Sequence, residues 1–273
     1  MYYNFLWNAG SGSMANMMIT GANQGIGYFM VEKLLEDGHS VAVLDIDTAN
    51  LEPLRETYGQ RLLPLICDVR DTQSIGKSVA EAVKAFGTID IAVHNACVCT
   101  FQAAAETDED IYHDVFNVNY YGALRLAKAI VPYMQQQKHG KVIFTSSGVG
   151  VMGFVNISPY ASSKGALESL AKCLGIEYGK DGITFHLFHP PLTRTASAAP
   201  LPVPGEFKAD PKKVGRGLAK HIGSKRFIIC HSFMQKVQTM GCYLFPVKMG
   251  RLMSKMTAGY AAERKKEISS IKG

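Results

Sequence analysis

Two side chains in the middle of the chain have the types and the spacing for acid–base chemistry. Tyr160 and Lys164 are four residues apart, so a helix places them on one face, one turn from each other. A free tyrosine has a pKa of about 10, and an ammonium group one turn away should lower that value. Such a tyrosine could take a proton from an alcohol or give one to a carbonyl. Ser147, thirteen residues earlier, could donate a hydrogen bond to the same oxygen.

The flanking sequence predicts the elements that position these side chains. Ser158 and Pro159 indicate a helix start, with Ser158 as the N-cap and Pro159 at the first helical position. Residues 140–146 predict a strand that delivers Ser147 at its carboxyl end, where open α/β sheets place ligands. The tyrosine–lysine pair alone is weak evidence, because such pairs occur by chance on exposed helix faces.

A glycine-rich turn near residue 20 predicts an anion site. Residues 15–20 read as a short strand, and a helical stretch follows the turn. Gly21, Gly25 and Gly27 would let the backbone turn sharply and approach a pyrophosphate closely. The N-terminus of the following helix offers free N–H groups and positive potential for that anion.

The serine, tyrosine and lysine, together with this glycine turn behind Thr20, resemble the classical short-chain dehydrogenase/reductase family over about residues 15–232. The resemblance implies Ser147, Tyr160 and Lys164 as the catalytic triad. It implies Asn119, within 117–122, as a fourth catalytic residue that holds a proton-relay water. The implied fold class is α/β, a Rossmann-type doubly wound parallel sheet of about seven strands in a single domain. The implied reaction interconverts a secondary alcohol and a ketone with a nicotinamide cofactor.

The same resemblance implies a set of cofactor-binding residues. Most lie in the glycine turn, after the second, third and fourth strands, and in the segment after the sixth strand. Asp68 and Val69 match the pair that contacts the adenine edge. The full set is Gly21, Asn23, Gln24, Gly25, Ile26, Gly27, Asp45, Ile46, Asp68, Val69, Asn95, Ala96, Tyr160, Lys164, Pro190, Leu192, Thr193 and Thr195.

Asp45 predicts NAD rather than NADP as the cofactor. It ends a strand 18 residues after Gly27, where a Rossmann unit holds the adenosine ribose. A carboxylate there accepts hydrogen bonds from both ribose hydroxyls and repels a 2′-phosphate. Gln24 and Ile46 stand where NADP-preferring relatives often carry a basic residue. The alternative is that Asp45 merely caps the next helix.

Three positions depart from the family pattern. His94 and Cys97 replace an Asn and a Gly around Asn95–Ala96, and Pro191 replaces a Gly after Pro190. Cysteine is less permissive than glycine, so the backbone path beside the cofactor is open at this stage. His94 is interpreted as a packed strand residue.

Composition limits the class of protein. The chain has 273 residues, 47% hydrophobic and 19% charged, which fits a soluble globular domain. No apolar run approaches the roughly 20 residues that span a bilayer. Six cysteines without a C-x-x-C pair predict a reduced cytoplasmic protein with no disulfide and no metal site.

The charge is unevenly distributed. Residues 1–204 hold 14 Lys/Arg and 19 Asp/Glu, whereas residues 205–273 hold 15 and 4. The basic region is either a solvated surface or a peripheral contact with an anionic membrane. Nucleic acid is not expected as a partner.

The predicted organisation has three parts. Residues 1–13 read as a leader and linker, disordered or added to the native chain. Residues 14–232 form the catalytic domain, with a substrate lid at about 192–210 whose apolar part, 196–204, hints at a lipophilic substrate. Residues 233–273 form a basic helical extension with an apolar stripe. The stripe comprises Met249, Leu252, Met253, Met256 and Tyr260.

Two further questions are open at this stage. The stripe packs on the domain, on a second subunit of a homodimer or homotetramer, or on a membrane surface. The rival functions are a catalytically idle nucleotide-binding scaffold and a membrane- or nucleic-acid-binding module built on the tail. The complete catalytic set argues against the first, and the second predicts binding by the tail alone.

Overall fold

The computed structural model describes residues 14–271, with the side chains of 261–271 excepted; the predicted leader, 1–13, lies outside the described residues. Seven parallel strands form one sheet in the order β3-β2-β1-β4-β5-β6-β7, which confirms the predicted fold class. The strands are β1 Asn16–Thr20, β2 Ser40–Asp45, β3 Leu62–Ile66, β4 Ile91–His94, β5 Gly140–Thr145, β6 Ile183–Phe188 and β7 Ile228–Ile229.

Helices cover both faces of this sheet. Along β1, Met17 and Ile19 belong to the core under α1 and α8, while Met18 belongs to the core under α3, α5 and α7. Strands buried on both faces read as continuous apolar runs, as these do. The helices are α1 Gly25–Glu36, α2 Glu52–Tyr58, α3 Thr72–Phe86, α4 Glu109–Phe116, α5 Gly122–Gln137, α6 Val149–Met152, α7 Ser158–Tyr178, α8 Pro211–Lys220, α9 Phe233–Leu244 and α10 Pro246–Ile271.

The strand order reverses between β1 and β4. Strands β2 and β3 lie on one side of β1, and the chain then crosses to β4 on the other side. The loops after β1 and β4 therefore separate, and a crevice opens at the carboxyl ends of the strands. Apart from the segment of Asn119, every predicted site segment follows the carboxyl end of a strand or lies at the start of a helix.

The helical region from Glu109 to Gln137 is interrupted once. Between α4 and α5 lies a π-helical segment, Asn117–Tyr121, that contains Asn119. The Asn119 amide accepts from Val98 N (2.9 Å) and donates to Val98 O (3.0 Å). These bonds pull the side chain toward the loop after β4, and wide turns of this kind are common at functional sites.

The start of α7 differs from the prediction. The helix begins at Ser158, and the residue at the N-cap is Ile157, which has no side-chain cap. The Ser158 hydroxyl instead shares a 2.7 Å hydrogen bond with the Tyr112 hydroxyl of α4. The Ser158 hydroxyl, which the local sequence predicted to cap the helix, thus forms a tertiary hydrogen bond instead.

Two elements are short. The seventh strand covers only Ile228–Ile229, and α6 has four residues. Within residues 14–271, no helix combines the length and the apolar character that a membrane span requires.

Candidate active site

The glycine turn after β1 is compact enough to exclude side chains. Gly21 has φ +65°, and a Cβ there would lie 2.4 Å from Cα of Ala96. A Cβ on Gly27 would lie 2.6 Å from the carbonyl oxygen of Gly21. The N-cap of α1, Gln24, makes no side-chain cap. The first turn of α1 therefore keeps its N–H groups available, which is what a bound pyrophosphate requires.

Side chains fix the turn to the neighbouring strands. The Thr20 hydroxyl accepts from the backbone N–H groups of Asn95 (3.1 Å) and Ala96 (3.2 Å). The Asn95 side chain donates to the carbonyl of Gly21 (2.7 Å) and accepts from the Thr145 hydroxyl (3.4 Å). These hydrogen bonds hold the carboxyl ends of β1, β4 and β5 together.

Asp45 braces the glycine turn and does not cap the next helix. Its Oδ2 accepts from the backbone N–H of Asn23 at 2.9 Å. The helical turn that begins at Ala49 is capped instead by Asp47, which accepts from Ala49 N at 2.9 Å. The alternative role for Asp45 is therefore not observed. Ile46, beside it, is 71% exposed and lines the same cavity.

A guanidinium group that sequence reasoning missed lies near the predicted adenine end. Arg70 donates to both carboxylate oxygens of Asp68, with Nη2 2.7 Å from Oδ2 and Nε 3.0 Å from Oδ1. This pairing lowers the pKa of Asp68. Both residues line the cavity. The sequence could have indicated this pair, because a basic residue stands two positions after Asp68, the acid expected at the adenine edge.

The three triad residues converge at the carboxyl end of β5. Lys164 is buried, and its Nζ donates to the carbonyl of Thr145 at 2.7 Å. The same Nζ lies 5.4 Å from the centre of the Tyr160 ring. A hydrogen bond joins the Ser147 side chain to Tyr160. The strand and the helix therefore bring a hydroxyl, a phenol and an ammonium group together.

The predicted direction of the tyrosine pKa is wrong in this geometry. Removal of solvent raises the pKa of Tyr160 well above its ordinary value, and the hydrogen bond from Ser147 only partly opposes this. Burial also lowers the pKa of Lys164. The ammonium group is directed at a backbone carbonyl rather than at the phenol oxygen. Tyr160 is consequently a neutral phenol, the form that donates a proton to a carbonyl.

Asn119 and His94 lie behind the reacting groups. Asn119 is fully buried and donates to the Ser163 hydroxyl at 3.0 Å, one residue before Lys164. His94 is buried at the end of β4, and its Nδ1 lies 3.1 Å from the Thr20 hydroxyl. Burial, followed by the charge of Lys164, lowers the pKa of His94 to about 3. The interpretation of His94 as a packed, uncharged residue agrees with this placement.

The departures from the family pattern do not strain the backbone. Among the described non-glycine residues, only Lys138 and Asn156 have positive φ. Cys97 and Pro191 therefore occupy ordinary conformations, in which glycine is not required. The open question about the backbone path beside the cofactor is resolved in favour of a regular one.

One cavity of about 490 Å³ unites the predicted site. It runs from Asp45 and Asp68 to Tyr160 and Lys164. Three predicted residues do not line the cavity: Asn23, Gly27 and Asn119. Those that do are Gly21, Gln24, Gly25, Ile26, Asp45, Ile46, Asp68, Val69, Asn95, Ala96, Ser147, Tyr160, Lys164, Pro190, Leu192, Thr193 and Thr195.

The far end of the cavity is apolar. Ile157, Ala198 and Leu201 form a small buried cluster, against which Phe154 and Tyr160 pack. Ala198 and Leu201 come from the predicted lid. Sequence reasoning missed the contribution of the C-terminal helices, which add Gln235, Gln238 and Cys242 from α9 and Met253 from α10.

A buried polar cluster ties α9 to the catalytic helix. Glu168, one turn after Lys164, accepts from the Ser146 hydroxyl at 2.9 Å and from the Tyr243 hydroxyl of α9. His189 Nε2 lies 2.8 Å from Glu168 Oε1. Burial opposes ionisation of Glu168, but His189, Tyr243 and Ser146 lower its pKa overall. No sequence motif pointed to this cluster.

Comparison with known proteins places the chain among characterised relatives. The family model described as short chain dehydrogenase matches residues 15–203. Oxidoreductase UcpA from Salmonella typhimurium is 34% identical over 216 residues, which cover 77% of this chain and 80% of UcpA.

Solved structures share the same architecture. A short-chain dehydrogenase from Streptomyces avermitilis superposes with a TM-score of 0.75 at 23% identity, covering 93% of this chain and 99% of that one. The 3-ketoacyl-(acyl-carrier-protein) reductase from Brucella melitensis, solved with NADH, gives a TM-score of 0.73 at 21% identity, covering 80% and 96%. At these identities the likeness supports the fold.

Proposed function

This chain belongs to the short-chain dehydrogenase family of nicotinamide-dependent oxidoreductases, and we propose that it interconverts a secondary alcohol and a ketone. The observation that carries the proposal is the convergence of Ser147, Tyr160 and Lys164 on the cavity that the glycine turn also lines. A proton donor, a cation and an anion-binding helix end in one enclosed space fit proton and hydride transfer between two bound molecules.

The residues would divide the work as follows. The nicotinamide, when bound, supplies or accepts the hydride. Tyr160 gives its phenolic proton to the ketone oxygen, or takes the proton of the alcohol in the reverse direction. Ser147 orients that oxygen, and Lys164 holds the nicotinamide ribose and stabilises the phenolate that forms. Asn119 positions the helix behind Lys164 and sustains the proton relay.

The proposed cofactor is NAD. Asp45 is braced against the glycine turn by its bond to Asn23 N, so its carboxylate is fixed at the ribose end of the cavity. A 2′-phosphate would meet a like charge there, which is costly where water is partly excluded. Arg70, the cation near this end, is already paired with Asp68.

The proposed substrate is lipophilic. Ile157, Ala198, Leu201 and Phe154 surround the space beyond Tyr160, and apolar walls favour an apolar ligand.

We further propose a cytoplasmic homodimer or homotetramer and a peripheral membrane contact through residues 205–273. The idle-scaffold alternative is disfavoured because all four catalytic positions carry the residue types that the chemistry needs.

Replacement of the proton donor tests the reaction. A screen of secondary alcohols and ketones, followed by NADH absorbance, first identifies a substrate. Tyr160→Phe should then lower turnover by about 10²–10⁴-fold, the usual contribution of a positioned acid, while NADH binding by fluorescence stays nearly unchanged. Lys164→Ala should lose both. Near-normal turnover by Tyr160→Phe on a proven substrate would refute the mechanism.

A further inference from the structure

Helix α9 buries polar side chains and exposes large apolar ones, the reverse of an ordinary surface helix. Its buried side chains are Gln235, Thr239 and Cys242, whereas Phe233 is 78% exposed and Met234 is 74% exposed. A helix that packs on a domain normally turns its apolar side inward. The large apolar residues of α9 instead face away from the protein.

Exposed apolar residues continue along the chain through the junction of the two helices and into α10. A large group of exposed apolar side chains marks an interaction site on a protein surface. We call it the α9–α10 surface. It comprises Phe233, Met234, Val237, Met240, Leu244, Phe245, Val247, Leu252 and Met256.

The predicted apolar stripe of α10 is divided between two environments. Met253 lines the cavity, and the Tyr260 ring lies 5.5 Å from that of Phe207. Leu252 and Met256 are exposed. Part of the stripe therefore packs on the domain while Leu252 and Met256 stay exposed, and the larger exposed apolar face belongs to α9.

The α9–α10 surface is held in a fixed orientation. Tyr243 bonds Glu168 on α7 from the inner side of α9. On α10, Thr257 is buried, and the Ser254 hydroxyl accepts from Val155 N at 3.2 Å. The exposure of the apolar residues is thus a property of packed helices.

Charge decides between the candidate occupants. Lys236, Lys248, Arg251 and Lys255 are exposed on the same helices, and residues 211–262 contain no Asp or Glu. A two-fold contact with a second copy would place this surface against itself, with cations facing cations and no acid to pair them. An anionic lipid bilayer complements both the apolar and the basic side chains.

We propose that the α9–α10 surface docks on anionic membranes, with the apolar residues at the headgroup–acyl boundary and the four cations among the headgroups. The inner side of the same helix lines the cavity through Gln235, Gln238 and Cys242. One helix therefore separates the docked surface from the substrate space. Delivery of a lipophilic substrate from the bilayer follows from this arrangement and rests on the proposed function, whereas docking itself does not.

Vesicle co-sedimentation of the full chain tests the docking. Vesicles of phosphatidylcholine, with or without phosphatidylserine, are compared at low and high salt. We expect pelleting that requires phosphatidylserine and weakens with salt. Phe233→Ser/Met240→Ser and Lys248→Gln/Arg251→Gln/Lys255→Gln should each weaken partitioning by about tenfold or more.

Matched controls come from exposed residues elsewhere on the domain. Ile176→Ser removes an apolar side chain that is 84% exposed on α7, and Lys172→Gln removes an exposed cation on the same helix. Both should partition like the parent protein, and NADH binding reports that every variant is folded. No pelleting at low salt, or equal pelleting of all variants, overturns the proposal. A solution dimer that Phe233→Ser/Met240→Ser dissociates, without lipid binding, would assign the surface to a second copy instead.

Discussion

At the scale of single residues, the two carboxylate oxygens of Asp45 have different surroundings. Oδ2 accepts from Asn23 N at 2.9 Å, while Oδ1 has only a long contact of 3.5 Å with Asp47 N. The first contact stabilises the glycine turn. In the proposed binding mode, the second oxygen would accept from a ribose hydroxyl, so the same carboxylate would also influence the choice of cofactor.

Asp45→Ala/Ile46→Arg should shift the ratio of NADP to NAD affinity by at least about tenfold, or ~1.4 kcal/mol. The substitution removes the repelling carboxylate and offers a guanidinium to a 2′-phosphate. Titration of NADH and NADPH fluorescence measures the shift. Asp47→Ala, which removes only the neighbouring helix cap, is the control. Tighter NADPH than NADH binding by the parent protein would contradict the assignment.

His94 should make the protein acid-sensitive. Its folded-state pKa is about 3, lowered from 6.5 first by burial, so the unfolded chain binds a proton that the folded chain does not between these values. Unfolding is therefore favoured as pH falls through this window, by ~1.4 kcal/mol per pH unit for one group. Burial also lowers the pKa of His186 to about 4, and that residue adds to the effect.

His94→Asn should accordingly reduce the slope of unfolding free energy against pH between about 6.5 and 3. Urea unfolding at several pH values measures it. His113→Asn serves as the control because its side chain is 73% exposed on α4. An unchanged slope in His94→Asn would show that His94 does not carry the acid sensitivity.

At the scale of elements, α9 is joined to the catalytic helix through a charged group. Tyr243 donates to Glu168, and Glu168 also meets Ser146 and His189. Ser146 precedes Ser147, and His189 precedes the segment from Pro190 that lines the cavity. The cluster therefore connects four chain segments around the site.

Tyr243→Phe should lower the free energy of unfolding by about 1.5–3 kcal/mol, the range for a hydrogen bond to a charged group. The ring volume is kept, so the loss reports the hydroxyl and the buried carboxylate that it leaves with one donor fewer. Denaturant unfolding provides the value. Tyr121→Phe, at a tyrosine that is 47% exposed, should change stability by much less. Equal effects of the two substitutions would mean that the cluster is not a stabilising anchor.

At the scale of the whole molecule, the site depends on the order of the strands. The crevice exists because β1 and β4 are neighbours while their connections diverge. The glycine turn, Asp45, Asp68 and Lys164 come from distant parts of the chain, yet all line one cavity. A ligand spanning that cavity contacts much of the domain and should stabilise its fold.

NADH at about a hundredfold excess over its Kd should raise the free energy of unfolding by ~2.7 kcal/mol. Chemical denaturation with and without NADH measures this without a substrate. NADPH at the same concentration should stabilise less, because Asp45 disfavours the 2′-phosphate. Lys164→Ala should abolish most of the NADH effect, and a full effect in that variant would exclude Lys164 from cofactor binding.

The sequence by itself determined the fold class and the cavity-lining motifs. Continuous apolar strands and amphipathic helices are local patterns, and β1 and β5 lie within one residue of the predicted strands at 15–20 and 140–146. The glycine turn, Ser147, Tyr160 and Lys164 were identifiable because their types and short spacings together resemble the motifs of a known family. Residues at short spacings on one helix or strand can adopt few relative positions, so their arrangement follows from the sequence.

Only the tertiary structure decided what depends on contacts between distant segments. Solvent exclusion by other elements raises the pKa of Tyr160, and the capping role of Ser158 was lost to Tyr112 on α4. The pairing of Glu168 with Tyr243 and the outward face of α9 likewise have no local signal. Periodicity shows that a helix has two faces, but which face is buried depends on the partners that the domain offers. In α9 the buried face carries Gln235 and Thr239, whereas Phe233 and Met234 are exposed.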